Sequence, residues 1–313
     1  MSTYIPENVQ ACIKNISEPL DANLFLYSAD ISQENADLFV EVVRSVSHKR
    51  ENAVLVLATY GGDPDAAYRI TRFLKQAYKT FTLFVFGYCK SAGTLIAIGA
   101  DEIVISDLAE LGPLDVQVLK ENDFRRSSGL DLQKALDVLR DEVFKAFEVC
   151  FIETVYRSEG VVNIKLAADI ASSMAVGLLT PIAGQIDPLR LGELSRSMEV
   201  AYEYGIRLNP SLGGKIKKLV DGYPSHSFVI DRQEAKGLFP SVREPSNEEL
   251  ILEQILEQCV RSPTSEPLIF SLDEFIEDIV QETQLNNIQD GDNDEKSTND
   301  DNDAEYFPSE TED

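Results

Sequence analysis

Ser91 is a residue whose type and surroundings suggest chemistry. It lies in "FGYCKSAGTLIAIGADEIVIS" (86–106), between an apolar run and a small-residue pattern with helical spacing. A serine at the point where a strand turns into a helix can present its hydroxyl as a nucleophile. The same position also suits a helix N-cap. The residues alone leave both interpretations open, because "GYCKSAG" is not the Gly-x-Ser-x-Gly elbow of the hydrolases.

A second turn, "TYGGDPD" (59–65), contains a Gly-Gly pair that would complete such a site. If the strands before the two turns are neighbours in a parallel sheet, both turns open at the same edge, where ligands bind. The amide of Gly61 or Gly62 and the amide of Ala92 would then point at an atom bound beside Ser91. Two fixed amides at the positive end of a helix stabilise a developing oxyanion. The alternative is an ordinary loop that leads into a capped helix.

Two neighbours of Ser91 are weaker candidates. Cys89 offers a thiol, but it lies at the strand exit rather than at the helix start, so we interpret it as a packed thiol. Lys90 adjoins the serine but is expected to point away from it and only to adjust the charge of the turn.

Strand-like and helical periods alternate from about residue 24 to 106, which predicts an α/β fold with a parallel sheet. Asp63 is the expected N-cap of one helix, with Pro64 in its first turn. From about residue 130 the pattern is mostly helical. The predicted strands are 23–29, 53–59, 81–87, 102–106 and a short one at 225–231, and later helices are expected from about 130, near 164–178, near 188–206 and near 247–260.

Charge and composition suggest three segments. Residues 1–240 are predicted to form the main domain, 241–289 a helical extension and 290–313 a disordered acidic tail, since the last segment holds 11 acids and one lysine. The whole chain has 54 acidic and 28 basic residues, a net charge of −26, which argues against nucleic acid or an anionic membrane as partner. The tail is interpreted as a solubilising end or as a docking arm for a further partner.

The four cysteines, at positions 12, 89, 150 and 259, show no paired spacing. This pattern indicates neither a zinc site nor a disulfide framework, and it is typical of a reducing compartment. No secretory signal and no run of about 18 apolar residues is found in the sequence, so a cytoplasmic protein without membrane insertion is expected. No Gly-x-Gly-x-x-Gly follows a strand, and no cofactor or metal is expected.

Residues 24–118 resemble the Clp-protease/crotonase superfamily. Within it they are most similar to the signal-peptide-peptidase-A-like serine peptidases known as the serine dehydrogenase proteinase family. The resemblance rests on "ADISQENADLFVEVV", "ATYGGDPDAAYRI", "KSAGTLIAIGADEIVIS" and "LGPLDVQV", and "PIAGQIDPLRLGE", "AYEYGIRL" and "YPSHSFVIDRQEA" extend it over most of 24–240. It implies a spiral of βα units, a homo-oligomer and hydrolysis of peptide or protein substrates through an acyl-enzyme. Ser91 matches the nucleophile, and the amides of Gly62 and Ala92 match the oxyanion hole.

The sequence departs from the Clp pattern at the general base. No histidine occurs in the segment where the Clp proteolytic subunit carries one, and Asp115 stands there instead. Of the two histidines, His48 is interpreted as an ordinary cation at a helix end. His226, in a family-like segment, is a candidate base or orienting group. The Ser–Lys dyad of signal-peptide-peptidase-A relatives makes Lys134 the other candidate, from the same chain or from a neighbouring subunit.

Three functions remain open from the sequence. The first is a serine peptidase with Ser91 as nucleophile. The second is a crotonase-type acyl-CoA enzyme, which uses the same oxyanion geometry without a serine but usually shows a glycine-rich segment where this chain has "KSAGT". The third is a catalytically silent scaffold with the same fold, which the missing Clp-type histidine favours.

Overall fold

Most strands of the protein belong to one sheet. The computed structural model describes residues 7–114, 117–120 and 123–275. In chain order the strands are β1 (Ala22–Ser28), β2 (Asn52–Ala58), β3 (Phe81–Val85), β4 (Tyr88–Cys89), β5 (Glu102–Ile105), β6 (Glu110–Leu111), β7 (Gln117–Lys120), β8 (Asp123–Ser128), β9 (Val242–Arg243) and β10 (Leu268–Ser271).

The main sheet has the strand order β10-β1-β2-β3-β5-β9. Within this sheet, neighbouring strands of the series β1-β2-β3-β5-β9 pair in parallel. Strand β10 pairs with β1 in the antiparallel direction. The register places Phe25, Leu55, Leu83 and Ile103 in one row across four strands. All four side chains are buried. Parallel strands that are covered on both faces appear in the sequence as continuous apolar runs. This is why these strands could be predicted from the sequence.

Helices cover both faces of this sheet. Helices α2, α3, α4, α7, α8 and α9 pack on the face that carries Phe25 and Leu55, and α1, α10 and α11 pack on the opposite face. The helices are α1 (Glu7–Leu20), α2 (Gln33–Ser45), α3 (Pro64–Ala77), α4 (Ala92–Gly99), α5 (Gly129–Arg157), α6 (Ile164–Ala183), α7 (Pro188–Leu208), α8 (Gly213–Asp221), α9 (Arg232–Leu238), α10 (Asn247–Ile255) and α11 (Glu257–Val260).

Helix α3 begins as the sequence predicts. The Asp63 carboxylate accepts a hydrogen bond from the Asp65 amide at 2.8 Å, and Pro64 occupies the first helical position. Because the cap fixes the start of the helix, the Gly61–Gly62 turn before it has a defined end.

A second, two-stranded sheet extends the edge at which β2 and β3 end. Strand β4 pairs with β6 in parallel. The Thr59 amide donates to the Tyr88 carbonyl at 2.7 Å, and the Lys90 amide donates to the Thr59 carbonyl at 3.0 Å. The chain after β2 and the chain after β3 are therefore hydrogen-bonded to each other, so the two turns that follow lie side by side, as parallel pairing predicts.

The long helices α5 and α6 pack against each other, and α7 returns to the sheet. Met198 and Ala201 of α7 are buried in the core. The Tyr204 ring stacks on Tyr68 with 4.3 Å between centroids, and its hydroxyl donates to Asp65 Oδ1 at 2.6 Å. Helix α7 is thus attached to the first turn of α3.

The predicted α/β class with a parallel sheet is confirmed, and the helices expected near 164–178 and 188–206 are found as α6 and α7. The helix expected at 247–260 is divided into α10 and α11. The strand predicted at 225–231 is wrong, because only Ile230 pairs, through a single antiparallel bridge to Leu111.

Several elements were not predicted, among them α8, α9 and the two-residue strands, and some predictions are not tested. Helix α1 and the antiparallel strand β10 have no counterpart in the sequence interpretation. The acidic tail at 290–313 lies outside the described residues. The division at residues 240 and 289 stays a prediction.

An ion pair at the far edge of the sheet gives a test of stability. The buried Glu249 carboxylate accepts two hydrogen bonds from the Arg243 guanidinium, each 2.7 Å long, and one from the Ser246 amide. Burial alone would raise the pKa of Glu249, but these hydrogen bonds hold it below its usual range. We expect Glu249→Ala to lower the free energy of unfolding by about 2–4 kcal/mol at pH 7, measured by urea denaturation, since it removes the buried carboxylate and leaves the guanidinium with only its longer hydrogen bonds to Glu102 and the Glu244 carbonyl.

The control is Glu257→Ala, which removes an exposed pair with Arg261 and should cost less than about 1 kcal/mol. Because the pKa of Glu249 is lowered on folding, its contribution is present above the ordinary glutamate pKa and is lost as the pH falls through the lowered value. Equal costs for the two variants at pH 7 would contradict this assignment.

Candidate active site

Ser91 lies in a strained turn between β4 and α4. Its backbone has φ 50° and ψ −112°, a conformation that residues other than glycine rarely adopt. Such a residue costs about 1–3 kcal/mol and persists only where the surrounding structure imposes it. Ser91 occupies the N-cap position of α4, but its side chain makes no capping hydrogen bond. The cap interpretation therefore fails, and the strained backbone is typical of a functional position.

Gly61 lies directly against Ser91. Its φ is 107°, and a Cβ built on it would come within 2.7 Å of the Ser91 Cβ and 3.0 Å of the Lys90 carbonyl oxygen. Gly62, with φ 139°, has equally little room, since a Cβ there would meet the Ile31 carbonyl oxygen at 2.1 Å. Glycine is thus required at position 61 for the two turns to touch, and at position 62 for the close approach to Ile31.

The backbone amides around Ser91 differ in whether they already donate a hydrogen bond within the protein. The Gly61 amide donates to Thr59 Oγ1 at 3.0 Å, inside the turn. This corrects the expectation for Gly61, which shapes the site but does not offer its amide to a ligand. In the part of the chain that the structure describes, neither the Gly62 amide nor the Ala92 amide donates to a protein acceptor. These two amides remain the candidate oxyanion donors.

The position of Ala92 at the start of α4 adds a positive electrostatic potential beside Ser91. Its nitrogen would be 3.3 Å from a Cβ on Gly61, so the start of α4 lies at the glycine turn. The first amides of a helix have no partner within the helix and carry the positive end of its dipole. An anion bound beside Ser91 would therefore meet a favourable potential.

The two neighbours of Ser91 have structural partners. Lys90 Nζ donates to Glu110 Oε2 at 2.6 Å and to the Leu111 carbonyl at 3.2 Å, both in β6. Its ammonium group is therefore held toward β6. The Cys89 side chain is fully buried, and burial raises the pKa of its thiol to about 12. It carries no thiolate at neutral pH and packs in the core.

The segment that follows His226 pairs close to the turn that contains Ser91. Cys89 pairs with Leu111 in the small sheet, and Leu111 pairs with Ile230 on its other side. Two strand spacings of about 4.8 Å place the backbones of Cys89 and Ile230 roughly 10 Å apart. His226 precedes Ile230 by four residues, in the half-buried loop between α8 and α9.

The other candidates for the base lie elsewhere or are only partly described. Lys134 lies in the second turn of α5, and its side chain is not among those described. Asp115 lies outside the described residues. His48 precedes β2, whereas Ser91 lies beyond the carboxyl ends of the strands, so at about 3.3 Å per residue the length of β2 separates them by roughly 20 Å.

A cavity of about 490 Å³ opens at this opposite edge, beside His48. Lys14, Arg50 and Glu274 also line it. Because it is separated from Ser91 by the length of the sheet, it is not part of the candidate active site. Among the described residues, no group of three His, Cys, Asp or Glu side chains is placed to hold a metal ion.

The family comparison agrees with the resemblance drawn from the sequence. Residues 28–132 match the family described as ClpP-like SDH-type serine proteinase. This region includes the Gly61–Gly62 turn, Ser91 and the beginning of α5. Over these residues the match confirms the resemblance to a Clp-fold serine peptidase family.

Similar curated proteins come from Methanocaldococcus jannaschii. The uncharacterized protein MJ1495 is 26% identical over 194 residues, covering 59% of this chain and 62% of the relative. The uncharacterized protein MJ0137 is 34% identical over 88 residues, covering 28% of this chain and 30% of the relative. The chain thus spans less than two thirds of the length of either relative.

Similar solved structures are proteases of low sequence identity. The ClpP catalytic domain of Plasmodium falciparum has a TM-score of 0.38 and 10% identity, covering 79% of this chain and 96% of that one. A mutant of the 1510-N membrane-bound stomatin-specific protease has a TM-score of 0.32 and 16% identity, covering 47% of this chain and 68% of that one.

The contact between Gly61 and Ser91 gives a direct test of this geometry. We expect Gly61→Ala to lower the free energy of unfolding by about 2–4 kcal/mol, because the new Cβ both collides with Ser91 and strains the backbone. Gly160→Ala is the matched control, since Gly160 also has positive φ (85°) but would meet nothing within 4 Å. It should cost only the backbone strain of about 1–2 kcal/mol. Equal losses in urea denaturation would show that the collision is absent.

Proposed function

We propose that the protein is a cytoplasmic serine peptidase that hydrolyses peptide bonds of peptide or protein substrates through an acyl-enzyme on Ser91. The observation that carries the proposal is the strained backbone of Ser91 beside the Gly61–Gly62 turn. The family match over residues 28–132 supports the same reaction class.

The first half of the reaction forms the acyl-enzyme. Ser91 Oγ attacks the carbonyl carbon of the scissile bond, and its proton passes to a general base. The carbonyl oxygen gains the negative charge, which the amides of Gly62 and Ala92 and the start of α4 stabilise. Removing one such donor costs about 3–4 kcal/mol of transition-state stabilisation. The C–N bond then breaks as the base returns the proton to the departing amine.

The second half of the reaction releases the acyl group. Water attacks the carbonyl carbon of the ester, and the base accepts a proton from the water. The same two amides stabilise the second oxyanion. The Ser91 oxygen leaves with a proton, which restores the enzyme. No metal ion or organic cofactor takes part in this proposal.

His226 is the base that we propose first. The pairing of Cys89 with Leu111 and of Leu111 with Ile230 supports it, because His226 lies only four residues before Ile230 in the chain. Lys134 is the second candidate, in a Ser–Lys dyad. Its support is its place in the second turn of α5, two residues beyond the end of the family-matched region.

The four cysteines support the proposed cytoplasmic setting. All are free thiols, with Cys12 and Cys89 buried and Cys150 and Cys259 half-buried. Unpaired thiols are typical of a reducing compartment.

The nucleophile is tested by labelling the intact protein with a fluorophosphonate and locating the label by mass spectrometry. We expect a single label on Ser91 that disappears in Ser91→Ala. Ser173→Ala removes an exposed hydroxyl from α6 and should leave the labelling unchanged. An unlabelled but folded wild-type protein would instead favour the catalytically silent scaffold.

The base is tested by the labelling rate of two matched pairs of variants. His226→Ala should reduce the rate by about 100-fold or more, as expected for the loss of a general base, while His48→Ala should leave it unchanged. Lys134→Ala and its control Lys145→Ala, an exposed lysine in the same helix, should have no such effect. A large loss in Lys134→Ala with normal labelling in His226→Ala would assign the base to α5.

A further inference from the structure

Lys90, the residue before Ser91, has an unusually buried ammonium group. Its side chain is 13% exposed, and that of its partner Glu110 is 28% exposed. Every other lysine that forms an ion pair between described residues has a side chain that is at least 35% exposed. A lysine is seldom buried to this degree unless its charge is paired. The burial of this pair directly before a strained serine indicates that it acts on the local backbone.

The register of the small sheet explains why Lys90 reaches Glu110. Cys89 pairs with Leu111, so the next residues of the two segments, Lys90 and Gly112, lie opposite each other. Because side chains alternate between the two faces of a strand, Lys90 lies on the same face as Glu110 and on the opposite face from Cys89. A Cβ on Gly112 would meet Lys90 Cδ at 2.9 Å. Glycine at this position therefore leaves the lysine stem the space to lie across β6.

Two acceptors of β6 hold the ammonium group. Lys90 Nζ donates to Glu110 Oε2 at 2.6 Å and to the Leu111 carbonyl at 3.2 Å. The Tyr88 ring lies on the same face of the sheet, with its centroid 5.9 Å from Nζ. Hydrogen bonds between charged groups are short and strong. The lysine side chain is therefore fixed at its far end by β6 as well as at its own backbone.

The backbone of Lys90 is hydrogen-bonded on both sides. Its amide donates to the Thr59 carbonyl at 3.0 Å, and its carbonyl accepts a hydrogen bond from the Gly93 amide at 2.8 Å. A Cβ on Gly61 would come within 3.0 Å of the same carbonyl oxygen. Lys90 therefore connects the chain before Ser91 to the end of β2, to β6 and to the first turn of α4.

A serine at the start of a helix has a less strained alternative. In an ordinary N-cap the backbone is extended, and the side-chain oxygen accepts a hydrogen bond from an amide in the first turn of the helix. Ser32 and Ser246 adopt this arrangement at the starts of α2 and α10, with φ −129° and −70°. Ser91, with φ 50°, does not. Because strained backbone persists only where its surroundings impose it, neighbouring groups must hold Ser91 away from the cap conformation.

We propose that the ion pair between Lys90 and Glu110 holds Ser91 in its strained conformation and prevents it from relaxing into a helix cap. This inference rests on the proposed role of Ser91 as nucleophile. Lys90 and Glu110 are positioning residues, since their charged groups bind each other and β6 and act on the reaction only through Ser91. When the pair is broken, the peptide between Lys90 and Ser91 is free to rotate. The Ser91 hydroxyl then turns to the amides in the first turn of α4 and is no longer presented to a substrate.

The rate at which a fluorophosphonate labels the full chain tests this pair. Lys90→Met keeps most of the stem but removes the charge, and we expect it to lower the maximal labelling rate by about 10- to 100-fold, as for a misplaced reacting group. The fluorophosphonate concentration that gives half the maximal rate should not change, because the Gly62 and Ala92 amides remain. Lys90→Arg, which keeps the charge, should recover most of the rate. Lys79→Met is the control, since it breaks only an exposed pair with Glu51 and should leave the rate unchanged.

A double-mutant cycle tests whether the two residues act as one unit. Glu110→Gln should slow labelling as much as Lys90→Met, and the double variant should be no slower than either single variant, because effects within one pair are not additive. Losses that multiply in the double variant, or a full labelling rate in folded Lys90→Met, would contradict the proposal. Circular dichroism and the melting temperature of each variant separate slow labelling from unfolding. If Lys90→Met does not fold, Glu110→Gln, which preserves the side-chain shape, carries the test.

Crystal structures separate a failure of this proposal from a failure of the proposed function. We expect the φ of Ser91 to be positive in the wild type and negative in Lys90→Met or Glu110→Gln, with the serine oxygen accepting a hydrogen bond from a first-turn amide of α4. A positive φ in the variants as well would overturn the positioning role, even if they label slowly. A wild-type protein that is not labelled would reject the nucleophile, whereas the change in φ tests the ion pair without any reaction.

Discussion

The close approach of two turns, with no room for a side chain between them, is the constraint on which the candidate site depends. Gly61 can lie against Ser91 only because it has no Cβ, and it does so with a φ that suits glycine. The hydrogen bonds between Thr59 and the chain at Tyr88 and Lys90 hold the turns together. They extend the parallel pairing of β2 and β3 beyond the strands. The geometry of the site is therefore imposed by the sheet rather than by the loops themselves.

The parts of this arrangement that depend on local sequence were predictable. The continuous apolar runs predicted the parallel strands, and Asp63 with Pro64 predicted the start of α3. The use of the Gly61 amide was not predictable, since it depends on the Thr59 hydroxyl turning back on its own loop. The strands β4 and β6 have two residues each, too few to show a period. The backbone strain of Ser91 likewise arises from packing between distant segments and leaves no local signal.

The helices after β8 show a different limit of sequence patterns. The spacing of apolar residues in α5 and α6 predicts helices with an apolar face, and both helices are found. A periodic pattern states that a face needs to be covered, but not which molecule covers it. In α6 the buried residues are Ala167, Ala171 and Ala175, whereas larger residues such as Met174 and Leu178 remain exposed. In a globular monomer the larger side chains would be expected inside, because they gain more from burial. Helix α6 therefore departs from the distribution expected of a core helix.

The strong negative charge of the chain is distributed unevenly. Of the net charge of −26, −10 belongs to residues 290–313. In α6 the charges of Lys165 and Asp169 cancel, and no further charge follows within the helix. At physiological ionic strength, repulsion between exposed charges is screened beyond about 8 Å. Helix α6 is therefore a surface of low charge on a strongly acidic chain, while repulsion between the remaining charges limits non-specific contact elsewhere.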